Sequence, residues 1–136
     1  MKQTLRFSES LAGQALPNLD VPITASIVVG GALASRDFTP VHHDRAAAQA
    51  QGMPDIFMNI LTTNGFVGRY ISDWAGPDAV IEGVSLRLGG PNMPGDTLEL
   101  RGKVLSAKAG VVEVEVRGDN AWGNHVTARV RVALPD

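Results

Sequence analysis

The chain has no cysteine. Disulfides, thiolate nucleophiles and zinc–thiolate centres are therefore excluded, and the composition fits a reducing compartment. Long apolar runs are also missing: residues 1–10 lack the apolar stretch of a signal peptide, and no later segment is long enough to span a bilayer. We expect a soluble cytoplasmic protein with no membrane partner. Neither charge sign is in excess. A formal net charge of -2, with 12 scattered Lys and Arg residues, argues against nucleic acid, which favours a basic face. We find no repeat, low-complexity tract or linker, so the 136 residues, 44% of them hydrophobic, are expected to form one domain over residues 1–136.

What is present divides into two halves. Residues 1–22 are mixed in character and suit a strand or an extended arm packed on the body. Thr24 can cap a helix over Ala25–Ala34. Two glycines weaken that helix, and its β-branched run also suits a strand; we expect helix. Asp44 suits the N-cap of an alanine-rich turn or two over residues 45–51, ended by Gly52. Over residues 56–74, Ile56, Ile60, Leu61, Val67, Tyr70, Ile71 and Trp74 recur at helical spacing until Gly76-Pro77. This predicts the longest helix.

The second half changes period. Residues 80–88, 97–105, 111–117 and 125–134 alternate apolar with polar, as strands do. Gly89-Gly90-Pro91, Pro94-Gly95-Asp96, Ala109-Gly110 and Gly118-Asp119-Asn120 supply turns between them. One long helix followed by an antiparallel meander predicts an α+β fold with the sheet curled around the helix.

The candidate chemistry lies in Asp37-Phe38-Thr39-Pro40-Val41-His42, a short loop stiffened by proline. A carboxyl and an imidazole beside one water can move two protons in one step. Duller roles fit the same residues: Asp37 capping a turn, and His42 satisfying a buried backbone group. His43, beside Asp44 and Asp37, invites comparison with a metal site. Adjacent histidines point differently, however, and no third ligand such as Cys or a His one helical turn away is present, so no metal is expected.

The loop resembles the hydratase signature of MaoC-like enoyl-CoA hydratases: Asp, an aromatic or aliphatic residue, a polar residue, Pro, an aliphatic residue and His. Gly52-Met53-Pro54-Asp55-Ile56 and Pro94-Gly95-Asp96-Thr97-Leu98 resemble two further turns of that family. More narrowly, the runs at residues 41–45, 55–62 and 69–77 resemble the small subunit of two-subunit hydratases acting on steroid side-chain enoyl-CoA thioesters. The resemblance implies a hot-dog fold and addition of water to a trans-2-enoyl-CoA, with Asp37 and His42 holding that water; which of them is base and which acid stays open. It implies an acyl-CoA substrate that carries its own coenzyme A, no separate cofactor, and a second MaoC-like chain in a heterodimer or heterotetramer.

Met58-Asn59 departs from the His-Gly usual in that family. The family's Gly offers its N–H to the thioester oxygen at the start of the long helix. Here Asn59 keeps the N–H and adds a side chain that can block or supplement the hole, cap the helix, or face solvent. Gly65 and Gly68 either open a broad substrate cleft or serve close helix–sheet packing. Trp74 suits the core or an interface. His125, on a strand with polar neighbours, is expected at the surface or an interface.

Overall fold

The computed structural model describes residues 2–136; Met1, part of the expected N-terminal arm, lies outside the described residues. The alternating second half forms β2 (Val80–Leu88), β3 (Thr97–Lys108), β4 (Val111–Asn120) and β5 (Gly123–Ala133), and Leu19–Pro22 forms β1. β3, β4 and β5 make a meander as expected. β2 does not precede it in space: it crosses to the far side and pairs with β5, giving the order β1-β3-β4-β5-β2. Every ladder is antiparallel.

Alternation sets the two faces of this sheet. Leu98, Leu100, Val112, Val114, Val116, Val126, Val130 and Val132 are fully buried, while Arg101, Lys103, Arg117, Arg129 and Arg131 point to solvent. A sheet covered on one side only takes this pattern. Ala109 and Gly110, with φ of 53° and 79°, form the two-residue turn between β3 and β4, whose twist suits a hairpin. Gly118-Asp119-Asn120 is not a turn. Those residues stay paired in β4 across a ladder irregularity, and the chain reverses at Ala121 and Trp122.

α1 (Ala25–Ala34) packs on the core face of the sheet, α2 (Arg45–Ala50) on the turn over Pro40–His42, and α3 (Ile60–Ala75) again on the core face. Thr24 and Asp44 cap the first two, accepting from the N–H groups of Ile27 and Ala47. α3 turns Thr63, Val67, Tyr70, Ile71 and Ala75 inward, a helical stripe facing the valines of the sheet. It stops at Gly76, whose φ of 93° favours glycine and where a Cβ would collide with the backbone of Thr4. It begins at Ile60 rather than Ile56. The N–H groups of Phe57 and Met58 donate instead to the carbonyls of Val41 and Asn92, which keeps that segment extended. The arm over residues 2–22 packs as expected, burying Leu16 and Val21 and bridging Ala15 to Lys103. No helix among the described residues is long and apolar enough to cross a membrane.

α1 meets α3 at Gly31, where a Cβ would collide with the Thr62 side chain. This close approach brings the end of α1 beside the start of α3. The Asp37–His42 loop leaves from that junction.

Candidate active site

α1 ends at Ser35, and Arg36, with φ of 55°, turns the chain so that the Asp37 N–H still donates to the Ala32 carbonyl at 2.9 Å. One Asp37 carboxylate oxygen, Oδ1, accepts from the Thr39 hydroxyl at 2.7 Å and the Thr39 N–H at 3.2 Å. This is an Asx turn. Pro40 opens a 3₁₀ turn, Pro40–His42, that buries Val41 and His42. The His42 ring packs edge-on against Phe57, and its Nδ1–H donates to the Phe57 carbonyl at 2.6 Å. Its Nε2 lies 3.2 Å from the other Asp37 oxygen, Oδ2. Both dull roles are observed, and they leave the geometry for the chemical one in place: each residue anchors itself with one polar atom and presents the other to its neighbour.

That geometry fixes the tautomer. A carbonyl can only accept, so Nδ1 holds a hydrogen and Nε2 of the neutral ring is a bare lone pair. The Thr39 hydroxyl, the Asn59 amide and the Thr39 N–H pull the Asp37 pKa down to about 2, helped by His42, so it is ionised at neutral pH. Two acceptors facing each other at 3.2 Å call for a proton shared directly between them or a water beside the pair that donates to both, because the gap itself holds no further atom.

Asn59 is buried, and it caps α3 through its side-chain carbonyl, which accepts from the N–H and hydroxyl of Thr62. Its amide donates to Ser35 Oγ at 2.9 Å and to Asp37 Oδ2 at 3.1 Å. Of the roles open to Asn59, facing solvent is excluded and capping is observed. The Asn59 N–H meets no acceptor among the described residues.

Beside Asn59 an apolar groove of about 360 Å³ runs between α1 and α3, lined by Gly31, Leu61, Thr62, Gly65, Phe66 and Arg69 among others. Gly65 lies in it; Gly68 sits on the adjoining stripe, outside the lining. A Cβ at either glycine would meet nothing within 4 Å, so close packing inside this chain does not explain them. Trp74 packs half-buried on the core. His43 is exposed, and no group of three His, Cys, Asp or Glu residues among the described ones is arranged to hold a metal.

His125 is not at the surface. It is 1% exposed, with Nδ1–H donating to the Gly90 carbonyl at 2.8 Å and Nε2 accepting from the Thr63 hydroxyl at 2.9 Å. Burial pushes its pKa below the usual value of 6.5. Sequence reasoning also missed Thr39, Ser35, Thr62 and the Phe57 carbonyl. Thr39, two residues after Asp37, carried an Asx-turn signal; the others meet the site only because α1 crosses α3.

Residues 7–125 match the family model described as MaoC like domain. The 3-oxo-4,17-pregnadiene-20-carboxyl-CoA hydratase beta subunit of Mycobacterium tuberculosis is 46% identical over 127 residues, 93% of this chain and 98% of that protein. A chain in the crystal structure of the ChsH1–ChsH2 complex from the same organism superposes with a TM-score of 0.89 at 47% identity, covering 91% of this chain and 98% of its own. The unliganded R-hydratase PhaJ1 from Pseudomonas aeruginosa gives a TM-score of 0.90 over 98% of this chain and 87% of its own; at 23% identity it shares the fold. That fold is the α+β hot-dog arrangement.

Proposed function

The chain belongs to the MaoC-like domain family, and from that premise we propose that it is the catalytic subunit of a hetero-oligomeric enoyl-CoA hydratase acting on a steroid side-chain thioester. The observation that carries the proposal is the 3.2 Å approach of Asp37 Oδ2 to a His42 Nε2 whose tautomer is fixed from behind by the Phe57 carbonyl.

A water seated beside that pair, and not between its two atoms, donates one hydrogen to Nε2 and the other to Oδ2. As its oxygen bonds to C3 of the trans-2-enoyl thioester, Nε2 takes the first proton and the π electrons move through C2 onto the thioester oxygen. The imidazolium then delivers its proton to C2, and the net change is one water added. His42 is thus base and then acid. Asp37, held ionised by Thr39 and Asn59, orients the water and stabilises the imidazolium, a division of labour that suits its low pKa. The developing oxyanion suits the start of α3, where the helix dipole and the Asn59 N–H favour negative charge.

A fused-ring acyl group is supported by the groove and by the substrate named for the M. tuberculosis relative. From Leu61 to Arg69 the groove follows α3 for roughly 12 Å at 1.5 Å per residue, and Gly65 leaves its wall open. A partner chain is supported by the apolar residues around the site. Leu33, Phe38, Ile60 and Leu61 are each about half exposed or more, a cluster that asks to be covered. Coenzyme A arrives with the substrate, and no other cofactor is needed for hydration. Co-expression with a larger MaoC-like chain, followed by assay with steroid and short-chain enoyl-CoA esters, tests the proposal. Hydration of the steroid ester by the complex is expected; no hydration of either ester would overturn it.

A further inference from the structure

Asn59 stands where the wider family resemblance places glycine, and every hydrogen-bonding atom of its side chain is engaged. The carbonyl accepts twice from Thr62 of α3, and the amide donates once to Ser35 at the end of α1 and once to Asp37. A side-chain amide has two donors and an acceptor oxygen with two lone pairs, so this set saturates it. Its orientation is also settled by chemistry. The Thr62 N–H can only donate, so the oxygen must face Thr62 and the amide nitrogen must face the carboxylate.

We propose that Asn59 is a positioning residue for the hydration reaction, holding Asp37 Oδ2 toward His42 and locking the catalytic loop to the N-terminus of α3. The inference rests on the assignment of Asp37 and His42 made above. Asn59 touches Oδ2, the same oxygen that faces His42, whereas Thr39 engages Oδ1. The two carboxylate oxygens therefore have separate anchors, and Asn59 is the neutral donor on the reactive one. His42 is the one titratable side chain within ion-pair reach of Asp37 among the described residues. The other groups that engage the carboxylate, Thr39 from the loop and Asn59 from the start of α3, are neutral. An amide in this place adds a hydrogen bond to the ionised carboxylate, which favours the charged form.

Two substitutions separate this role from capping. Asn59→Asp keeps the size and the cap on Thr62 but replaces the donor to Asp37 with a second carboxylate. Asn59→Ser keeps a good cap and is too short to reach Asp37. Neither alters the backbone N–H at residue 59, and Asn59→Ser also adds no charge beside it, so an effect on chemistry in N59S would not come from the oxyanion site. In the co-expressed complex we expect kcat to fall by about 10- to 100-fold in N59D, the scale of a misplaced catalytic group. KM should change little. The acidic limb of the pH profile should move to higher pH, by roughly one unit or more in N59D and by less in N59S. A loss of thermal stability with wild-type kcat and an unshifted pH profile in both variants would assign Asn59 to capping alone and overturn the inference. Asp37→Asn is the control. If D37N kept its activity, the acid–base assignment itself would fail; if D37N were inactive while the N59D and N59S profiles matched wild type, the positioning role alone would fail.

Discussion

At the scale of single residues, the two histidines that make side-chain contacts have opposite duties. His42 keeps one nitrogen facing an ionised carboxylate, which leaves it useful for proton transfer. Both nitrogens of His125 are spent on protein partners, Gly90 and Thr63, and it ties the start of β5 to α3. Its folded pKa lies below the unfolded value of 6.5. As pH falls through about 6.5, the unfolded chain therefore takes up a proton that the folded one refuses, and stability falls with it. We predict a lower melting temperature at pH 5.5 than at pH 7.5, with a smaller drop in His125→Gln, which keeps a donor and an acceptor without titrating. Equal drops would show that His125 is not the source. The approach of Asp37 to His42 was legible in the sequence because their loop is short and local. The burial of His125 was not: alternation puts neighbouring strand residues on opposite faces, but β5 carries an extra residue at His125, skipped by the ladder between the pairs Gly118 with Val126 and Asp119 with Asn124, and both His125 and Val126 are buried there.

At the scale of elements, α3 is the part on which the site depends. Its inward stripe and its stop at Gly76 were readable from apolar spacing and from Gly-Pro. Its start was not. Ile56 continues the helical spacing, yet the chain around it gives its N–H groups to Val41 and Asn92, partners that sequence spacing does not reveal. The four-residue difference matters, since it makes Asn59 the cap of the helix and puts its amide against Asp37. The groove along α3 gives the next prediction. Gly65→Leu fills the groove wall, so hydration of a steroid enoyl-CoA should fall at least tenfold more than that of crotonyl-CoA, about the discrimination that one or a few carbon atoms in a pocket provide. Gly68→Leu, outside the lining, should discriminate less. If Gly65→Leu slowed both esters equally in steady-state assays, the groove would not be the acyl site.

At the scale of the whole molecule, strand periodicity made the α+β class legible, but not the crossing of β2 to the far edge. Edge position depends on where residues 89–96 travel, and that is set by contacts with β5 and Met58. The result is a nine-residue edge strand, β2, paired on one side only among the described residues. An open edge of that length, together with apolar side chains around the site, favours association. We predict that size-exclusion chromatography with light scattering will show a stable complex with a larger MaoC-like chain, and weak activity or poor solubility for this chain alone. A fully active homodimer would contradict that and favour a hydratase of ordinary acyl-CoA chains.

The central claim is that this chain, and not its partner, supplies the acid–base pair. It is tested by kcat/KM for steroid enoyl-CoA hydration in complexes where Asp37→Asn, His42→Ala and the double variant are carried by this chain alone. Each single change should cost about 10²- to 10⁴-fold, and the double should be little worse than the more damaging single, because the two groups act on one water. A folded, assembled complex that retained near wild-type kcat/KM with either substitution would place the chemistry elsewhere.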